Sequence, residues 1–138
     1  MKMTHKKGFT LSEVMVVVII IGVIVGLSFP RFTVAVERMR SSEGVDILTA
    51  LLASQRRFAL ENGGAFRDGT GGGNALANGD LDIDIPASPN FDVPLISNNA
   101  AQVARIDRSS GEYFITIDSL GNLTCTDTGT GICPKMGL

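Results

Sequence analysis

Apolar and polar positions fall into three regimes along the chain. From Val14 to Phe29, 16 residues run without a charge, and Phe9, Thr10, Leu11 and Ser12 extend the block to 21 residues broken only by Glu13. After Pro30 the pattern becomes periodic. Phe32, Val36 and Met39 fall at i, i+4, i+7, and Val45, Leu48 and Leu52 keep that spacing, flanked by Ile47, Leu51 and Phe58. Glu37, Arg38, Arg40, Glu43, Asp46, Arg56 and Arg57 fall mostly on other faces. The two stretches predict one long helix, apolar all round and then amphipathic. It ends at Asn62-Gly63-Gly64, a C-terminal stop. From Thr10 to Glu61 at ~1.5 Å per residue, the rod is roughly 78 Å long. Pro30 removes one backbone donor and should bend or locally melt it.

The third regime is short-range. Residues 63–79 hold seven glycines and read as a flexible loop. The glycines at 71–73 lack the Lys-Ser/Thr of a phosphate loop. Asp80-Leu81-Asp82-Ile83-Asp84-Ile85-Pro86 alternates strictly. A calcium loop needs Gly next and a distant Glu, which Ile85 and Phe91 replace. The stretch reads as an edge strand or extended turn, with Leu81, Ile83 and Ile85 inward and the aspartates outward. Pro86, Pro89 and Pro94 mark a loop. Strands are expected over Gln102–Asp107, Glu112–Asp118 and Asn122–Cys125, with turns at Ser109-Ser110-Gly111 and Ser119-Leu120-Gly121-Asn122. The fold class is α+β: a long N-terminal helix whose second half packs on an antiparallel sheet of three or four strands.

An apolar helix of ~20 residues spans a bilayer core. Lys2, His5, Lys6 and Lys7 precede it and favour a cytoplasmic N-terminus. β-Branched residues dominate the block and are poor helix formers in water. In lipid the backbone must satisfy itself, so helix forms regardless. Gly22 and Gly26 lie at i, i+4, which suits close helix approach or is incidental. Three readings fit: a secretory signal cut near Ser28, a plain anchor, or a precursor cut before the apolar block.

Lys6-Lys7-Gly8-Phe9-Thr10-Leu11-Ser12-Glu13 ahead of that block resembles the processing motif of type IV pilins and type II secretion pseudopilins. The resemblance is strong over residues 6–30, moderate to about 60 and architectural beyond. It implies a leader, 1–8, removed by prepilin peptidase between Gly8 and Phe9, with Phe9 then methylated. It implies a membrane and filament-core helix over 9–30, kinked at Pro30, and a head domain over 31–138. Ser12 replaces a commonly hydrophobic residue and disturbs none of this. The implied function is a structural, non-catalytic subunit of a filament used for adhesion, twitching or DNA uptake. The implied partners are copies of itself, the peptidase, the assembly machinery and minor pilins. The precursor would sit in the inner membrane, and the product in an extracellular pilus.

Glu13 is the residue a plain anchor would not choose, because intramembrane carboxylates are costly and usually functional. Cleavage would create its partner, the α-amino group of Phe9. Inside an apolar core that pair sets register more than stability, since a misaligned copy buries an unpaired charge. The bland reading is a tolerated interfacial Glu.

Charge and chemistry narrow the field. The first eight residues carry three of the 12 Lys and Arg and none of the 14 Asp and Glu, so trimming leaves nine basic against 14 acidic groups. That balance argues against nucleic acid as the primary ligand. The chain has no Trp, and its one His lies in the leader, so a metal or His-dependent centre has almost nothing to be built from. No cofactor is expected. Cys125 and Cys133 should oxidise if the domain lies outside the cytoplasm, two free thiols being the alternative. Closing nine residues stabilises by about 2.5 kcal/mol in the chain-entropy picture. The family resemblance implies that this loop is a surface feature. Major pseudopilins usually end in Asp-Pro-Trp-Gly without a cysteine pair, so a pilus is favoured over a pseudopilus. A monomeric anchored or secreted binding domain is the alternative of another class.

Overall fold

The computed structural model describes residues 8–138, without the side chains of 28–31. The chain forms two units, Met1–Ala35 and Val36–Leu138. One helix, α1 (Leu11–Glu61), supplies both. In the first unit every described large apolar side chain from Phe9 to Leu27 is at least 46% exposed. Among the described residues no single helix is long and apolar enough to cross a membrane. Leu11–Leu27 and Phe32–Glu61 meet that test by length and composition only when taken together. Pro30, where a bend is expected, falls among residues whose side chains lie outside the described set, and Lys2, His5, Lys6 and Lys7 lie outside the described residues altogether.

The second unit is α+β. A four-stranded antiparallel sheet runs in the order β1 (Leu95–Ile96), β2 (Ala104–Asp107), β3 (Tyr113–Ile117), β4 (Leu123–Asp127). A one-turn helix, α2 (Cys133–Met136), ends the chain. Strand alternation decides the inner face: Tyr113, Ile115 and Ile117 are buried while Phe114 and Thr116 are not. They pack with Ile106, Ile96 and Val103 beneath Leu48, Leu51 and Leu52 of α1. Each fully buried apolar side chain of this kind contributes about 1.5–3 kcal/mol. The expected meander is present, with β1 added and the third strand reaching Asp127 rather than Cys125.

Three expectations change. The lower apolar stripe does not face the core: Phe32 and Met39 are exposed, and the buried helix positions are Glu37, Ser41 and Gly44. Gly44 sits there because a Cβ would come within 2.9 Å of the Phe91 ring. Glu37 is buried because it has company. Arg40 donates to it at 2.5 Å, Arg108 through two nitrogens at 3.3 Å each, and the Tyr113 hydroxyl at 3.3 Å. Burial pushes its carboxyl up, but the Arg108 and Arg40 bonds outweigh it and hold the group below the usual range. Burial and the Glu37 charge push the Tyr113 phenol up to about 12.

The stretch 80–86 takes the second of its two expected forms, an extended turn, with Leu81 buried, and Ile83 and Ile85 partly so. Asp80 points inward, against expectation, and organises the glycine-rich loop. It accepts from the Ala77 N–H at 2.7 Å, from the Thr70 N–H at 3.1 Å and hydroxyl at 2.7 Å, and from Arg67 at 3.3 Å. Burial raises its pKa, but these donors lower it further, to about 2. Gln55, fully buried on α1, pairs both its amide atoms with the Arg67 backbone at 2.8 Å. Asp82 and Asp84 point outward as expected.

Candidate functional site

The candidate site is the start of α1. Gly8 is exposed, and an added Cβ there would touch nothing. The fold therefore does not require glycine at this position. The same holds for Gly22 and Gly26, whose added Cβ atoms would also meet nothing within the chain.

Phe9 is 86% exposed, one residue ahead of the helix cap. Thr10 caps α1. Its hydroxyl accepts from the Glu13 N–H at 3.3 Å. The Glu13 carboxylate reaches back and accepts from the Thr10 N–H and hydroxyl, each at 2.9 Å. This is a capping box, in which Thr and Glu three apart satisfy each other's orphan donors. Neither reading of Glu13, as a partner for the Phe9 amine or as a tolerated interfacial side chain, included this cap, although Thr-x-x-Glu ahead of an apolar run is its sequence signal. Glu13 thus sits in the same turn as Phe9, with its hydrogen bonds made inside its own helix.

Cys125 and Cys133 form a disulfide, Cα atoms 5.6 Å apart, which joins β4 to α2. Cys133 is buried in the core, so one end of the bridge is internal. α2 is also held to the long helix. The Arg38 guanidinium donates twice to the Lys135 carbonyl, at 3.0 and 2.6 Å, satisfying an acceptor at a helix C-terminus. This second tie was not legible from spacing, since 97 residues separate the partners. Among the described residues no group of three His, Cys, Asp or Glu side chains is placed to hold a metal.

Residues 3–29 match the family model described as the prokaryotic N-terminal methylation motif. Over 114 residues the chain is 30% identical to the type IV major pilin protein PilA of Myxococcus xanthus (strain DK1622), covering 70% of this chain and 50% of that protein. The chain thus spans about half the length of the curated relative it matches. No solved structure matches.

Proposed function

We infer that this chain, whose motif and relative support the type IV pilin family, is a structural subunit of a pilus-like filament. One observation carries the reading: the segment from Phe9 to Leu27, helical from Leu11, leaves all its large apolar side chains exposed around a single carboxylate. Water does not tolerate such a surface, so lipid or copies of the same helix must cover it. A bilayer suits the precursor, anchored with its N-terminus cytoplasmic. A bundle of identical helices suits the product.

In this reading prepilin peptidase cuts between Gly8 and Phe9 and methylates Phe9. Glu13 of one copy then meets the Phe9 amine of another and sets the axial register. Pro30 lets the rod bend where it leaves the apolar layer. The assembly machinery and minor pilins complete the list of partners. The filament would serve adhesion, twitching or DNA uptake, and no catalytic role is assigned. The Cys125–Cys133 bridge favours a pilus over a secretion pseudopilus.

Mass spectrometry of the mature N-terminus tests this reading. A chain beginning at Phe9 and carrying one added methyl group is expected. A chain that keeps Met1, or begins near Phe29, overturns it.

A further inference from the structure

The four-stranded sheet has two edges, and the fold treats them differently. The β1 edge is closed by the glycine-rich loop. Ala75 bridges Leu95, the Ile96 carbonyl accepts from the Gly69 N–H at 3.3 Å, and the Pro94 carbonyl accepts from the Leu76 N–H at 2.8 Å. The β4 edge has no such cover. Its ladder with β3 continues at both ends, from the Asp118 N–H to the Asn122 carbonyl and from the Thr128 N–H to the Glu112 carbonyl, each at 3.1 Å. Bonded pairs alternate along an antiparallel ladder, so Thr124 and Thr126 turn their backbone groups to β3. Leu123, Cys125 and Asp127 turn theirs outward, and no described backbone group bonds them. The disulfide does not close this edge, because Cys125 leaves β4 on the inner face to join Cys133 at the core.

An open edge offers its N–H and C=O groups to another strand, and natural edges are usually blunted by Lys, Pro or a bulge. β4 has none of these: Leu-Thr-Cys-Thr-Asp pairs with β3 through five successive residues. The strand matches its own copy. Set antiparallel with Cys125 opposite Cys125, Leu123 faces Asp127, and every outward N–H and C=O finds a partner. A shifted register leaves some of them unpaired. Thr124 and Thr126, both exposed, then face each other across the two strands, a favourable pairing in which no like charges meet. The two-fold axis of this pair is normal to the sheet, so it reverses the half of α1 packed across that sheet. It therefore cannot join neighbours that point the same way in one filament. We propose that β4 pairs with β4 of a copy in a second filament of opposite direction, so that filaments associate side by side through their heads. The proposal rests on the filament reading and adds lateral association to it.

Charges placed on the two threonines of the full chain test it. Sheared filaments are spun first at low speed, which pellets bundles, and then at high speed, which pellets single filaments. The unsubstituted chain is expected mainly in the low-speed pellet. Thr124→Lys with Thr126→Lys sets Lys against Lys at both threonine pairs, and should lower the low-speed fraction at least fivefold. Thr124→Lys with Thr126→Glu sets opposite charges there, and should bring that fraction back to within twofold of the unsubstituted chain. Its recovery separates the edge contact from a folding defect, since both variants carry long charged side chains at the same positions. Bundling present in both variants, or absent from both, overturns the contact. Unsubstituted filaments that pellet only at high speed also overturn it and leave the filament reading standing. Bundles held by a second protein in the pellet assign the edge to that protein and overturn it as well. Absence of filaments from the unsubstituted chain removes both ideas.

Discussion

In the single chain Glu13 is already satisfied, because its carboxylate closes a capping box with Thr10. Two roles are therefore superposed on one side chain: a helix cap, which needs an acceptor, and the proposed pairing with a neighbour's Phe9 amine, which needs a negative charge. Glutamine separates them, since it caps as glutamate does but carries no charge. We expect Glu13→Gln to be processed and inserted normally while filament yield falls at least tenfold, as it should for Glu13→Val. The readout is sheared filament against processed membrane chain on an immunoblot. Wild-type yield from Glu13→Gln would reduce Glu13 to a cap. The capping box needed no structure to find, being local and spelled in four residues. The reach from Glu13 to another chain is not local, and no pattern within one sequence can display it.

Glu37 joins the long helix to the sheet. Arg108 lies 71 residues away and is itself buried, so the pair shares one dry site with the Tyr113 hydroxyl. Removing one partner of a buried pair strands the other charge, at about 3–5 kcal/mol. Glu37→Ala should lower the thermal midpoint of the detergent-solubilised chain sharply, whereas Glu37→Met with Arg108→Leu should recover much of the loss. A double variant no better than the single would mean that packing, not the stranded guanidinium, sets the cost. The glycine-rich loop depends in the same way on Asp80. Its native pKa of about 2 lies below the ordinary 3.8. Its contribution is therefore complete above about pH 4 and is lost as pH falls toward 2. Asp80→Asn should cost about 1–3 kcal/mol at pH 6, for donors left poorly matched. That gap should shrink between pH 4 and pH 2, followed by circular dichroism. A gap constant across the window would assign the loop's order to something else.

These elements also mark what the sequence could carry. The helix and the strands β2 to β4 were legible because their apolar positions repeat at 3.6 and 2 residues. Glu37 and Asp80 were misread as outward because charge on a periodic stretch predicts solvent. Partners that no periodicity displays reverse that: Arg108, 71 residues from Glu37, and for Asp80 the glycine-rich loop folded back on itself through Arg67, Thr70 and Ala77. β1 and α2 were missed for a related reason. Two residues of strand and four of helix have no period to detect, and they exist because Arg105 and Cys133 find Leu95 and Cys125.

At the scale of the whole molecule, the chain holds two solvation problems with different solutions. Val36–Leu138 closes its own core around Leu48, Ile106 and Ile115, and needs no partner for that. Phe9–Leu27 has no core to enter, and every large apolar side chain described there stays open. If rods of many copies solve this together, the force holding them is mainly apolar burial. Burial is not screened by salt, while exposed charge pairs are, with a screening length of about 3 Å at 1 M. The Glu13 pairing in the proposed bundle would be sheltered from that screening by the surrounding side chains. Sheared filaments should therefore still sediment in 1 M salt, and should fall apart to processed monomers in a mild detergent that covers the rod as lipid does. The Val36–Leu138 unit should keep its circular dichroism signal in both, because its core is independent of the rod. Filaments that dissolve in salt and survive detergent would place the cohesion in surface charge on the heads. The exposed helix would then need some other explanation than assembly through its apolar face.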